Sequence, residues 1–116
     1  MGFLLKTTEE TYVYEEDAAV VAQTCIDVLG RLGKVTKVER DSGIILGKIK
    51  PKVFERNALV ALSIKREGDN TKLVVKFEFE HAYITRNKHY DKMMFLKFMK
   101  GIEEDGRLSG KSSGGW

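Results

Sequence analysis

The 116-residue sequence has one cysteine, one proline and no long run of apolar residues. Cys25 cannot form an internal disulfide, which excludes the secreted class that depends on disulfides and favours a reducing, cytoplasmic location. No stretch approaches the roughly 20 apolar residues that a membrane-spanning helix needs. The apolar residues at 3–5 are too few for a signal peptide. The length suits one core, so we expect a single domain.

Signals of enzymatic chemistry are also missing. Cys25 lies at helical spacing among apolar residues, where an inert, buried thiol is expected. His81 and His89 lack the spacing of a zinc site. Glu78 and Glu80 share a strand face with lysines, which is typical of a solvated charge ladder. We therefore predict a non-enzymatic protein with no catalytic residue, no metal and no cofactor.

Charge is distributed unevenly along the chain. Residues 1–30 carry one basic and six acidic side chains, whereas residues 31–100 carry 17 basic and eight acidic ones. Clustered lysines and arginines attract anionic partners such as nucleic acid or phospholipid headgroups. The acidic N-terminal arm can equally fold back and neutralise the basic middle. The sequence leaves both interpretations open.

The first part of the chain predicts a strand followed by a helix. Alternating β-branched and aromatic residues predict a strand at 11–14, beginning as early as Phe3. Apolar residues at helical spacing predict a helix over 18–32. Asp17 suits its N-cap, and Gly33 suits a left-handed stop at its end.

A period of two then predicts four more strands and an antiparallel arrangement. The breaks at 40–43 and 67–70 are polar and contain glycine, as tight hairpins require. Pro51 ends the third strand because it cannot donate to a ladder. The predicted strands span 35–39, 44–50, 58–65 and 71–82.

The C-terminal part predicts a second helix and a tail. Helical spacing predicts a helix over 87–105, capped by Thr85 or Asn87. The segment 106–116 is rich in Gly and Ser, and we expect it to be disordered. The single domain is therefore expected to span 1–105. The predicted core face of the helix consists of Tyr90, Met94, Phe95, Phe98, Met99 and Ile102.

The order β-α-β-β-β-β-α predicts an α+β fold, a five-stranded antiparallel sheet with two helices on one face. This order resembles the TATA-binding-protein-like architecture. START-like lipid-transfer domains and kinase-associated domains that bind acidic phospholipids share that architecture. Leu-Gly-Arg-Leu-Gly at 29–33, followed by Arg-Asp-Ser-Gly-Ile-Ile at 40–45, is similar to small bacterial domains of unknown function. That resemblance implies a bacterial protein without an assigned activity.

Two groups of residues are candidate binding sites. Basic residues on the strands and their connections could converge on the uncovered sheet face, or could be ordinary solvated surface. In the first case they would bind an anionic partner, an acidic phospholipid surface in preference to nucleic acid. These candidates are Lys37, Arg40, Lys48, Lys50, Lys52, Arg56, Lys65, Arg66, Lys72 and Lys76.

The second group is an apolar ridge among lysines on the second helix, formed by Met93 and Leu96 beside Lys97 and Lys100. It favours either a homodimer contact or isolated surface exposure. The primary functional prediction is a small binding or scaffolding domain. Anionic attachment is the first alternative, and an apolar-ligand cavity between sheet and helices is the next.

Overall fold

The computed structural model describes the backbone of residues 3–49, 58–82, 88–108 and 111–112 and the side chains of residues 9–49, 58–78 and 94–108. The predicted α+β class and the order β-α-β-β-β-β-α are confirmed, and a two-residue strand follows them. The elements are β1 (Phe3–Tyr14), α1 (Ala18–Leu32), β2 (Lys34–Glu39), β3 (Ile44–Ile49), β4 (Ala58–Glu67), β5 (Asn70–Ala82), α2 (Lys88–Asp105) and β6 (Lys111–Ser112).

The strands form one antiparallel sheet in the order β2-β3-β4-β5-β1-β6. β1 is the longest partner of β5, and the two pair continuously from Phe3 opposite Ala82 to Tyr14 opposite Thr71. The polar stretch 6–10 includes three residues of low strand propensity, Lys6, Glu9 and Glu10. It is extended because a complete ladder to β5 satisfies its backbone, which shows tertiary context overriding local preference.

α1 begins where the sequence predicts. Asp17 is the N-cap residue and its carbonyl accepts a hydrogen bond from the Val21 amide. Its carboxylate makes no capping hydrogen bond and instead binds Arg66 of β4 at 3.0 Å. The apolar face of the helix is buried as expected, with Cys25 and Leu29 fully excluded from solvent.

The prediction of a left-handed stop at Gly33 is wrong. Gly33 has a φ of −166°, which is extended backbone that any residue adopts. The reason for glycine is steric. A Cβ at this position would lie 2.0 Å from the carbonyl oxygen of Lys48 and 2.8 Å from the Cα of Ile49. The chain leaves α1 in direct backbone contact with β3, and only a residue without a side chain fits there.

The two hairpin turns contain the glycines that the sequence indicates. Gly43 and Gly68 have φ values of 71° and 64°, in the left-handed region that favours glycine. Gly43 also accepts a hydrogen bond from the Ile64 amide at 2.8 Å, which ties the β2–β3 turn to β4. The predicted strand end at Pro51 and the helix caps Thr85 and Asn87 lie outside the described residues.

The core lies between the sheet and the two helices. Phe77 of β5 packs against Phe95 and Phe98 of α2, with ring centroids 5.3 Å and 5.9 Å apart. All three rings are fully buried. The predicted core face of α2 is confirmed at Met94, Phe95, Phe98 and Ile102, whereas the side chain of Tyr90 lies outside the described residues.

Five residues of the predicted tail, 106–108 and 111–112, belong to the described part of the chain. Gly106 ends α2 with a φ of 85°, and Leu108 is 8% exposed and joins the core. β6 then pairs with Tyr12 and Val13 of β1. A single leucine is enough to anchor this end because it inserts between elements already packed. For the remainder of 106–116, disorder stays a prediction, as does the boundary of the domain at residue 105.

Candidate functional site

The outer face of the sheet, which points away from the helices, is the first candidate site. The register places alternate residues of β3, β4 and β5 in rows across this face. The middle of the face is apolar and half-exposed, and Leu59 is 41% exposed. Three rows define the outer face: Lys48, Leu59 and Glu78; Leu46, Ala61 and Lys76; and Ile44, Ser63 and Val74.

The predicted basic residues that the structure describes lie on both sides of the sheet, with more of them on the outer face, and a single patch stays a prediction. Lys48 and Lys76 lie within the outer face, and Lys65 and Lys72 lie opposite each other at one end of it. Arg66 lies on the helix side of the sheet, beside the start of α1. Lys50, Lys52 and Arg56 lie outside the described residues, so their prediction remains untested.

Several of the basic side chains bind carboxylates within the chain. Lys37 and Glu39 form an ion pair at 2.7 Å, and this hydrogen bond raises the pKa of Lys37 and lowers that of Glu39. Lys72 approaches Glu67 at 3.7 Å. Acidic residues within the basic middle of the chain, Glu39 and Glu67, thus neutralise part of its positive charge, in addition to the acidic arm.

The acidic arm contributes at two places. Asp17 binds Arg66, and Glu9 of β1 lies directly opposite Lys76 of β5. Lys34 and Lys48 have a different environment, because they lie opposite each other on β2 and β3. Within the described part of the chain, neither of these two lysines forms an ion pair.

The α1 groove is the second candidate site and lies on the helix side of the sheet. It is an open cavity of about 610 Å³ between the first half of α1 and the β2–β3 hairpin. Small side chains on α1 leave the space, since alanines stand where larger residues would reach β2. The floor of the α1 groove consists of Ala18, Ala19, Ala22, Ile26, Val38, Ile45 and Ile64, and its rim of Glu39, Arg40, Asp41, Ser42, Gly43, Lys65 and Arg66.

Val38 is the clearest sign that the α1 groove is unfilled. It is 39% exposed, although its register partner Ile45 is almost fully buried. Around it the rim is polar and partly fixed by internal bonds. Ser42 Oγ donates to Glu39 at 3.0 Å, and Arg66 donates to the Gly68 carbonyl at 3.3 Å. The arrangement combines an apolar floor with charged groups at the mouth.

Sequence reasoning missed the α1 groove. Its signals were the alanines at 18, 19 and 22 and the valine in an otherwise polar β2. A cavity between sheet and helices was expected in general terms. Beneath α2 that space is filled by Phe77, Phe95 and Phe98, so the open volume lies beside α1 instead.

The predicted ridge on α2 is described only in part. Leu96 is 41% exposed, and Lys97 beside it is also exposed. Lys100 approaches Glu104 one turn further along, at 4.0 Å. The side chain of Met93 lies outside the described residues. A homodimer through this ridge stays a prediction.

Cys25 is a structural thiol. It is 0% exposed, and burial raises its pKa to about 12, so the nucleophilic thiolate is scarce at neutral pH. The side chains of His81 and His89 lie outside the described residues. Among the residues that the structure does describe, no three His, Cys, Asp or Glu side chains form a group that could hold a metal ion. No described helix is both long and apolar enough to cross a membrane.

Arg107 connects the C-terminal end of α2 to α1. It donates to Asp27 of α1 at 2.7 Å and to Asp105 of α2 at 2.6 Å. Arg31 also approaches Asp105, at 3.7 Å. Hydrogen bonding to Arg107 lowers the pKa of Asp105 to about 2 and also lowers that of Asp27. This cluster links the two helices and holds Leu108 in place.

Comparison with known proteins supports the fold class. No protein-family profile matches the sequence, and no curated protein sequence is significantly similar to it. Among solved structures, the crystal structure of Ara h 8.0201 is similar, with a TM-score of 0.65 and 11% identity over 88% of this chain and 97% of that one. The likeness supports an α+β fold with an antiparallel sheet. It does not specifically support the TATA-binding-protein-like resemblance.

Proposed function

We propose that this protein is a non-enzymatic binding domain whose site is the α1 groove. The ligand is a small molecule with an apolar body, which covers Val38 and the alanines of α1, and with a polar group that faces the rim. The observation that carries the proposal is an apolar floor, open to solvent at Val38 and Ala19, in a groove of about 610 Å³. That volume lies within the range of small-molecule sites.

The comparison supports this proposal at the level of the fold. The structural neighbour has a Bet v 1-like fold, which is consistent with a binding domain rather than an enzyme. The TATA-binding-protein-like resemblance, the bacterial origin and the cytoplasmic location all stay predictions.

The test is titration with two probes of equal chain length, decanol and decanoate, followed by amide NMR shifts. We expect saturable shifts at Ala19, Ala22 and Val38. Val38→Asp places a charge on the floor and should weaken binding about tenfold or more, since burying an unpaired carboxylate is costly. Leu96→Asp is the matched control, because Leu96 is equally exposed but lies outside the α1 groove. Binding that Val38→Asp leaves unchanged would contradict the proposal.

A second candidate function is attachment to an anionic surface through Lys34 and Lys48. Like charges directly opposite each other on neighbouring strands repel, and an anionic partner relieves that repulsion. Vesicles of acidic phospholipid should then bind at low salt, neutral vesicles should not, and Lys48→Glu should reduce the binding. Equal binding of both vesicle types would rule this candidate out.

A further inference from the structure

Two of the three rows of the outer face have a pattern of charge and apolar residues that is complementary to itself. β4 runs through the middle of this face, with β3 on one side and β5 on the other. In one row, Leu59 stands between Lys48 and Glu78. Two rows away, Ser63 stands between Ile44 and Val74. In these two rows, charges of opposite sign and apolar residues of similar size therefore lie at equal distances on either side of β4. In the row between them, Leu46 and Lys76 flank Ala61, so the symmetric partner of each is of a different kind.

A two-fold symmetry axis can bring these rows of two copies into contact. A two-fold axis parallel to β4 that stacks two copies face to face exchanges β3 of one copy with β5 of the other. Lys48 of each copy then faces Glu78 of the other, and Ile44 faces Val74. Leu59 and Ala61 lie on the axis and meet their own counterparts. We propose that the outer face binds a second copy of this chain, as an isologous sheet-to-sheet dimer centred on Leu59.

Physical dimensions are compatible with such a dimer. Stacked sheets pack about 10 Å apart, a gap that facing side chains fill. Each strand in a sheet is rotated by about 20–25° from its neighbour, so alignment holds best for β4 and the strands next to it. The paired residues are on those three strands. Lys65 lies near the axis but at the end of β4, where its long side chain can reach water.

The expected dimer is weak. The three rows span about 10 by 14 Å between Cα positions, from strand spacings of about 4.8 Å and steps of about 6.8 Å along a strand. Side chains enlarge the contact, but it stays below the roughly 800 Å² per partner of a standard interface. A dissociation constant in the micromolar to millimolar range is therefore expected.

Within one chain, Leu59 separates Lys48 from Glu78. Neither residue forms an ion pair among the described residues, so the charge of each can be changed without breaking one. Analytical ultracentrifugation up to about 1 mM tests the proposal. Wild type should dimerise, and Lys48→Glu and Glu78→Lys should each raise the dissociation constant about tenfold. An equimolar mixture of the two variants should regain wild-type affinity, because both cross-copy pairs then have opposite charges. The double variant should regain it as well.

A matched pair of variants locates the contact. Leu59→Asp places two carboxylates on the axis and should abolish the dimer, whereas Leu96→Asp, at an equally exposed leucine on α2, should leave it intact. Circular dichroism checks that both variants fold. The proposal is overturned if wild type stays monomeric up to about 1 mM, if Leu96→Asp rather than Leu59→Asp abolishes the dimer, or if the mixture fails to recover affinity.

Discussion

The contact between the end of α1 and β3 makes a strong prediction about two glycines that lie close together in sequence. At Gly33 a Cβ would lie 2.0 Å from the Lys48 carbonyl oxygen, which is far inside van der Waals contact. At Gly30, on the exposed side of α1, a Cβ would meet nothing within 4 Å. The same glycine-to-alanine change should therefore have opposite effects three residues apart.

The magnitudes follow from the two environments. β3 is paired on both sides, with β2 and β4, so the Lys48 carbonyl cannot yield without disturbing two ladders. Overpacking usually costs 1–3 kcal/mol, and a clash with fixed backbone belongs at the upper end, so we expect Gly33→Ala to lower the free energy of unfolding by about 3 kcal/mol. Gly30→Ala should raise it by about 0.5–1 kcal/mol, because alanine loses less entropy in a helix.

Urea unfolding followed by far-ultraviolet circular dichroism measures both variants against wild type. The corresponding shifts in melting temperature are roughly −12 °C for Gly33→Ala and +3 °C for Gly30→Ala, at about 4 °C per kcal/mol. A Gly33→Ala variant as stable as wild type would refute the close backbone approach. If both variants were destabilised alike, the loss would belong to helix α1 in general and not to its contact with β3.

Further predictions concern the end of the chain and the buried thiol. Leu108→Ala should lower the free energy of unfolding by about 2–3 kcal/mol, because it leaves a cavity in the core. Leu96→Ala should change the free energy of unfolding by less than about 0.5 kcal/mol. Equal effects of the two variants in urea unfolding would contradict the packing of Leu108. The lowered pKa of Asp105, about 2 against 3.8, stabilises the fold above pH 3.8, and this contribution is lost as the pH falls towards 2. Arg107→Ala should therefore reduce the fall in melting temperature between pH 3.8 and about pH 2. If the melting temperature of the variant fell as steeply with pH as that of wild type, the ion pairs of Arg107 would not be the cause of the fall. Cys25 should react with a thiol reagent in native protein only as fast as the chain opens and at once in urea; rapid labelling of native protein would show that the thiol is accessible.

The two helices and the five longer strands of this fold were predictable mainly because they depend on local patterns. α1 shows five buried residues at helical spacing, and β5 alternates from Leu73 to Glu78 between the core and the outer face. The glycines at 43 and 68 mark turns through their left-handed backbone. Gly33 was interpreted by the same local rule and incorrectly, since its reason is contact with β3. Steric demands made by distant strands leave no mark in the neighbouring sequence.

Both candidate sites depend on such distant relations, which is why composition could not locate them. A count of lysines indicated a basic sheet face, but register decides which lysines share it, and it places Arg66 on the other side and Glu78 within it. Ile44 and Ile45 show the same principle within two residues. Ile44 lies on the outer face, and Ile45 lies in the floor of the α1 groove. The same strand thus contributes to a ligand site on one side of the sheet and to a dimer contact on the other, and a shift of register by one residue would exchange the two.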